Sequence, residues 1–595
     1  MKDPLVQPEI LSSLISTRQR FIEDKTMFDT QYRILTQYFY QTHKQNAPVG
    51  QNKVFQGEFL NDGSITDNVG GFSAKSAASA IMGSIWKGER GTVKIVPPRA
   101  VSDTKENKDY YVRISNDFAG YHETKKSRFE VNLKAAMQQN VIYGTTGMAI
   151  QRGDYVSPLR YQQKSVLYFY LGYDEDGNVN QIILDRFDTA DMLVDKFGEE
   201  KVPSTVLNAY KQNDRKTRFV VSEYILPRKN PKAAKGKLSM PYAVHEFMPN
   251  DNAYLGEGGY ESFPIPILFC DKLEYESYGR SYAMEALPTV MQANVAGEIL
   301  AEGGEALAKP PLGLYDNGSL TGKVLNLSGG SLSVFNVAGT VPTEKPVFPL
   351  YTVGDLRVIL EWLEMLYEKV DRYFLLDKFY SLGTDQRKTV PEVSILNAIR
   401  ADATASLYVE AQKFMVECFE RAMDILFSMG LLGVQDPGNL NDPKVKALLA
   451  NGHTPFKIPD EIWALISKGL NWYEFEFISP AARIMRSEAL QAAISYLQLM
   501  GELSVQIPEF RDTINVAGTA EKIRQLTSAD IVMVNDAKTV QEIQRRRGEM
   551  QQQAMMLEAR RIQSQTAQSN AQAAAAQTGA QRNVAEMGAG IPSAA

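Results

Sequence analysis

The segment 279–429 constrains this chain more than any other. Helical periodicity over 279–308 stops at Pro310-Pro311. Short strand-like runs and Gly/Ser turns fill 311–350, and helix resumes over 353–377. A loop containing Ser381-Leu-Gly-Thr-Asp-Gln386 follows. A long helix then runs from about 391 to 429 and ends at Gly430, a residue suited to the left-handed C-terminal position. The first helix carries Gly297, Gly303 and Gly304 in its interior, and Pro288 near its start either begins the main helix or kinks it. Any fold must therefore accommodate two helices that flank a small β insert in the chain, followed by a loop and a long helix.

Charge is patterned on both helices. Glu298, Glu302 and Glu305 share one face of the first, at i, i+4, i+7. Glu361, Glu364, Glu368 and Asp371 share a face of the second, opposite a packing stripe of Ile359, Leu363, Leu366, Val370 and Phe374. Like charges at this spacing cost an isolated helix roughly 0.2–0.5 kcal/mol per pair, so two such rows point to a surface that must be acidic. Spacing alone also fits an ordinary solvated face. The loop between the second helix and the long one holds Lys378, Tyr380, Asp385, Gln386, Arg387 and Lys388, and its three cations suit a passing phosphate backbone as well as a plain solvated turn. The long helix sets Leu396, Ile399, Ala403, Leu407, Phe414 and Cys418 on one side, which reads as core packing.

Upstream, 5–45 reads as helix, 48–75 as loop, Ala74–Trp86 as a second helix, and 91–96 as a strand that stops at Pro97-Pro98. One long helix is expected over 106–142, ending at Gly144. From 145 to 275 the pattern becomes strand-like, with runs such as 166–171, 181–184, 218–225 and 241–247, and a small helix near 188–212. Downstream, 484–503 and 518–563 read as helices. Val540, Ile543, Met550, Ala554 and Leu557 fit heptad positions that Arg547 interrupts. The Gln/Ala-rich end from 564 is expected to extend the helix or fray, with roughly its last twenty residues disordered.

The net charge of −6 and pI of about 5.6 argue against a broad DNA clamp, since wrapping DNA calls for basic surface. Two distant cysteines, Cys270 and Cys418, imply no disulfide framework and suit a reducing cytoplasm. The start MKDPLVQPEI has no secretory pattern, and no apolar run approaches 18 residues. No GxxxxGK[ST], HExxH or GxSxG occurs, and the four histidines are scattered, so no catalytic, metal or cofactor site is expected.

The order of elements resembles the head-to-tail connector family of short-tailed, T7-like phages, from about residue 5 to 545. Tyr143-Gly-Thr-Thr-Gly-Met148, Tyr278-Gly-Arg-Ser-Tyr-Ala-Met-Glu-Ala-Leu-Pro288, Pro310-Pro-Leu312 and the Thr389–Glu392 helix start carry the resemblance. It implies an α+β portal fold, largely helical with a β-rich wing and a small β clip, assembled as a ring around a central channel. The wing would span 1–278, the stem helices 279–308 and 353–377, the clip 309–352 and the tunnel loop 378–390. The long helix and wing/crown junction would take 391–480, the crown or barrel helices 481–563, and a flexible tail 564–595. Such portals are usually twelve-subunit rings at one capsid vertex, formed in the host cytoplasm. The implied partners are double-stranded DNA, the terminase large subunit, a tail adaptor, major capsid and scaffolding proteins, and internal core proteins at the crown. The acidic rows would then keep DNA from sticking to the channel wall. A rival from another class is an internal virion ejection protein with cell-wall hydrolase activity, in which a glutamate of those rows would serve as acid. A scaffolding protein would be more uniformly helical and charged than this chain.

Overall fold

The computed structural model describes residues 6–40, 65–86, 93–214, 217–228, 236–316, 330–336, 347–350, 354–377, 390–477, 493–500 and 537–587, with isolated positions between 478 and 536. The fold is α+β. Helix α1 (Val6–Leu35) runs into a π-helical turn, Thr36–Tyr40. Helix α2 spans Val69–Ile85, five residues earlier than its small-residue run suggests, because Asp67 accepts a hydrogen bond from Val69 N and fixes its first turn. Strand β1 (Val93–Val96) follows.

The single helix expected over 106–142 is two helices, α3 (Lys105–His122) and α4 (Phe129–Tyr143). The break is built from Ser127, whose Oγ donates to His122 O at 2.6 Å and accepts from Phe129 N at 3.3 Å, and from Arg128 in the left-handed region (φ 52°). Side chains that bond the local backbone compete with helix continuation, and apolar periodicity does not register them. The turn stacks His122 against Phe129 edge to face, 5.0 Å apart. Helix α4 ends at Gly144 (φ 75°), as its sequence suggests.

Two sheets occupy 145–269. In the smaller, β2 (Thr145–Arg152) lies between β3 (Leu159–Ser165) and β9 (Ile267–Phe269). The larger is an antiparallel meander of β4 (Phe169–Tyr173), β5 (Val179–Thr189), β6 (Arg218–Pro227), β7 (Tyr242–Met248) and β8 (Ala253–Tyr260). The one small helix read near 188–212 is a pair, α5 (Ala190–Phe197) and α6 (Ser204–Lys211), parted at Gly198 with φ 82°.

Helix α7 is Tyr282–Ala308. It starts at Ser281, whose hydroxyl accepts from Met284 N at 3.0 Å, so Pro288 lies inside the helix rather than opening it. The insert is a three-stranded sheet in which β10 (Leu312–Asp316) runs parallel to β11 (Leu332–Asn336) and antiparallel to β12 (Val347–Pro349). Helix α8 covers Arg357–Tyr373, 17 residues and roughly 25 Å long at 1.5 Å per residue, against about 24 residues expected. Helix α9 (Val390–Ser428) closes at Gly430 with φ 77°, and its side chains are described from Val409 onward. Two short helices follow, α10 (Pro443–Ala450) and α11 (Asp460–Ser467). Strand β13 (Glu474–Phe477) pairs antiparallel with β1. The last element, α12 (Ala537–Met587), runs through the Gln/Ala-rich stretch read as a flexible tail from 564. The expected 484–503 helix is described only at 490 and 493–500, which are helical, and most of 518–536 lies outside the described residues.

One continuous core joins α1–α4, the smaller sheet, the start of α7 and the second half of α9. It is rich in rings: Trp86, Phe118, His122, Phe129, Tyr161 and Phe419 lie in mutual contact.

Candidate functional site

The α7–α8 hairpin is held by small residues facing large ones. Ala293 and Ala296 of α7 pack on Leu363 and Leu366 of α8, with Leu300, Trp362, Tyr367 and Val69 around them. Alanine at the contact lets the helices approach closely. Helix α2 supports the hairpin from below: a Cβ on Gly70 would sit 2.9 Å from Val290 Cγ1. Buried Asn294 accepts from Thr66 N at 2.7 Å, while Thr66 Oγ1 donates to Asn294 O at 2.6 Å. Of the packing stripe read on α8, Leu363, Leu366, Val370 and Phe374 are buried and Ile359 is half-buried.

The opposite faces carry the carboxylates. Glu298, Glu302 and Glu305 of α7 are exposed, as are Glu361, Glu364 and Glu368 of α8. Glu368 alone of these has an ion pair among the described residues, to Arg372 at 3.5 Å. Asp371 departs from the row. It is half-buried and accepts from Ser73 Oγ at 2.8 Å, so it ties α8 to α2. Lys378, Tyr380, Asp385, Gln386, Arg387 and Lys388 lie outside the described residues. On α9, Phe414 and Cys418 are buried as read, while Leu396, Ile399, Ala403 and Leu407 have no described side chains.

Where the hairpin meets the β region, two sequence marks some 130 residues apart touch. The carbonyl of Gly144 accepts from Cys270 N at 2.8 Å. Gly279 N donates to Thr145 Oγ1 at 2.9 Å, and Ser281 Oγ donates to Ile142 O at 2.8 Å. A Cβ on Gly144 would meet Gly279 O at 2.4 Å, and one on Gly279 would meet Cys270 O at the same distance. Backbone crosses backbone here, and only glycine fits. Each motif is visible in sequence, but their contact is not.

Sequence reasoning also missed the buried ions of the β region. Lys25 on α1 is fully buried, donating to Val166 O at 2.5 Å and Phe169 O at 3.2 Å beside Asp29 at 3.5 Å, and burial pushes its ammonium down to about 8. Arg18 makes a bidentate pair with Asp185, at 2.6 and 3.2 Å. Arg186 bridges Asp188, Glu223 and Glu246 at 2.9–3.1 Å. Lys25 shares the buried side of α1 with Phe21 and Tyr32, and Arg186 lies on strand β5, but a lone cation in either pattern names no partner.

Among the described residues no group of His, Cys, Asp and Glu could hold a metal, and no helix is long and apolar enough to cross a membrane. Cys270 and Cys418 are buried free thiols, both pushed up by burial, Cys270 to about 12. His122 is pushed down to about 4 by burial and shares hydrogen bonds with Phe118 O and Tyr161 Oη.

No curated protein matches the sequence. A solved structure described as "Virion of native gene transfer agent (GTA) particle" aligns with 68% of this chain and 88% of its own, at 13% identity and a TM-score of 0.31. The family model for "Bacteriophage head to tail connecting protein" matches residues 11–452, well over half of the sequence. The chain described here belongs to the bacteriophage head to tail connecting protein family.

Proposed function

We propose that copies of this chain form a ring, of twelve subunits by family resemblance, at one vertex of the capsid, and that double-stranded DNA enters and leaves through its centre. The observation that carries this reading is the α7–α8 hairpin, which buries small residues inside and sets six exposed carboxylates outside. Phosphates passing such a wall are repelled rather than bound, and contact stays independent of base sequence. Residues 309–352, with the β insert, are the clip, which docks the terminase large subunit during packaging and a tail adaptor afterwards. Residues 378–390 form the tunnel loop, where Lys378, Arg387 and Lys388 meet the DNA backbone. Major capsid and scaffolding proteins surround the ring as the head assembles in the host cytoplasm, and internal core proteins sit at the crown. The chain is a conduit without catalysis, and the ATP-driven step belongs to the terminase.

Negative-stain microscopy of the purified chain, alone and with scaffold, tests the assembly. Rings with a hole wide enough for duplex DNA support it, and a monomer under both conditions sinks it. Reversing Glu361, Glu364 and Glu368 to Lys tests the wall. Rings should still form while packaged DNA falls, and normal packaging would remove the slippery-wall reading.

A further inference from the structure

Strand β9 (Ile267–Phe269) pairs with β2 on one side, and among the described residues no strand pairs with it on the other. Its register fixes what that second side offers. Cys270 N donates to Gly144 O and Met148 N donates to Pro266 O, so the even-numbered residues bond to β2. Ile267 and Phe269 therefore turn their N–H and C=O groups away from it. A groove of about 510 Å³ lies there, and its other wall is the flank of α9. Pro266, Ile267, Leu268 and Phe269 all line it. A sheet face would offer alternate residues only, so four in a row mean that the strand presents its edge. The two walls run in opposite directions. Ser262 meets Arg421 at one end, and Asp271 N donates to Glu410 at the other. Along α9 those ends stand roughly 16 Å apart at 1.5 Å per residue, the span of about five extended residues.

One charge in this groove lacks a counter-ion. Arg421 is only 7% exposed, its Nη1 donates to Ser262 Oγ at 2.7 Å, and its guanidinium lies 5.6 Å from the centre of the Tyr260 ring. Among the described residues no carboxylate comes within ion-pair distance of it, and its buried Nε has no hydrogen-bond partner. Arg18 uses Nε and Nη2 as a fork to grip both oxygens of Asp185. The same fork of Arg421 faces no acceptor among the described residues. Arginine cannot escape burial by losing its proton, so an unpaired one at this depth calls for an acid. Glu417 and Asp424, one turn before and one turn after Arg421 on the same wall, also have no ion pair among the described residues. Alternate side chains of a strand fall on one side about 6.6 Å apart, close to one helical turn. An acid opposite Arg421 with a base two residues to either side would therefore match all three.

We propose that the groove between β9 and α9 binds an extended, mixed-charge segment of a partner protein. The segment adds to the smaller sheet beside β9, seats a carboxylate side chain on Arg421 and turns basic side chains toward Glu417 and Asp424. Main-chain bonds along the edge supply affinity, and the charge pattern supplies selection. No ring is required for this binding.

A fluorescein-labelled peptide, Thr-Lys-Val-Glu-Val-Lys-Thr, titrated with the full chain tests this by anisotropy. Saturable binding should weaken about tenfold or more when the peptide's Glu is replaced by Gln, and likewise with the Arg421→Gln chain. N-methylating one alternate set of the peptide's amides should abolish binding, while methylating the other set should not. Equal affinity for both methylated forms would overturn strand addition. Displacement by N-acetylglutamate at the peptide's own concentration would reduce the groove to a simple anion site and overturn it too. No saturable binding by the unmodified chain overturns the proposal outright. Self-association that Arg421→Gln abolishes would give the groove to a second copy in place of a partner.

Discussion

The joint between the β region and α7 and the outer face of the α7–α8 hairpin are built from opposite materials. At the joint, Gly144 and Gly279 bring backbones into contact beside buried rings such as Tyr143 and Tyr278, and in the adjoining β region charges such as Arg18–Asp185 are paired out of water. On the hairpin, six carboxylates stand exposed and five of them have no ion pair among the described residues. The joint carries stability and tolerates no change. The hairpin's outer face makes few contacts and contributes little to stability. Charge burial is thus used for position in one region, and charge exposure for surface chemistry in the other.

Substitutions can break this contrast. Gly279→Ala should have the largest effect, since its Cβ would overlap the Cys270 and Gly144 carbonyls. A loss of ~3–5 kcal/mol, or no soluble protein, is expected in urea unfolding. Wild-type stability would mean that the joint yields. Arg18→Ala leaves the Asp185 carboxylate without its counter-charge, held only by Ser222 and Tyr170 hydroxyls, and should cost ~3 kcal/mol by the same measurement. His122 makes the contrast pH-dependent. Its imidazole titrates near 4 when folded and near 6.5 when unfolded, so the unfolded chain binds the proton first. Stability should therefore fall as pH drops from about 6.5 to 4, by up to ~3 kcal/mol from this group. His122→Phe should flatten that slope in unfolding curves taken across the interval. At the small end, Glu361→Gln, Glu364→Gln and Glu368→Gln together should change stability by less than ~0.5 kcal/mol. A larger loss would show that the outer face is structural after all.

The hairpin was legible in the sequence and the joint was not. Pro310-Pro311, the carboxylate spacing and the Leu363–Leu366–Val370 stripe are local signals, and the helices and insert follow from them. The length of α8 was overestimated because apolar residues continue past Tyr373, where Leu375 takes φ 56° and ends the helix. The α3–α4 break was hidden because Ser127 acts through hydrogen bonds that no periodicity records. Asp371 shares its face with Glu368 by spacing, yet Ser73, almost 300 residues away, draws it into a contact. Lys25 was unreadable for the same reason: its partners Val166 and Phe169 come from another part of the chain. The pattern held wherever neighbours in sequence decide the outcome, and failed wherever a distant backbone atom does.

The pairing of β1 with β13 has a consequence for biosynthesis. Among the described residues Val93–Val96 pairs with Glu474–Phe477, roughly 380 residues later. At about 5–20 residues per second a ribosome needs some tens of seconds to cover that distance. Until then the first strand has an open edge and the ring-rich core lacks Phe475 and Phe477. A nascent or truncated chain therefore lacks this part of its core until residue 477 has been made.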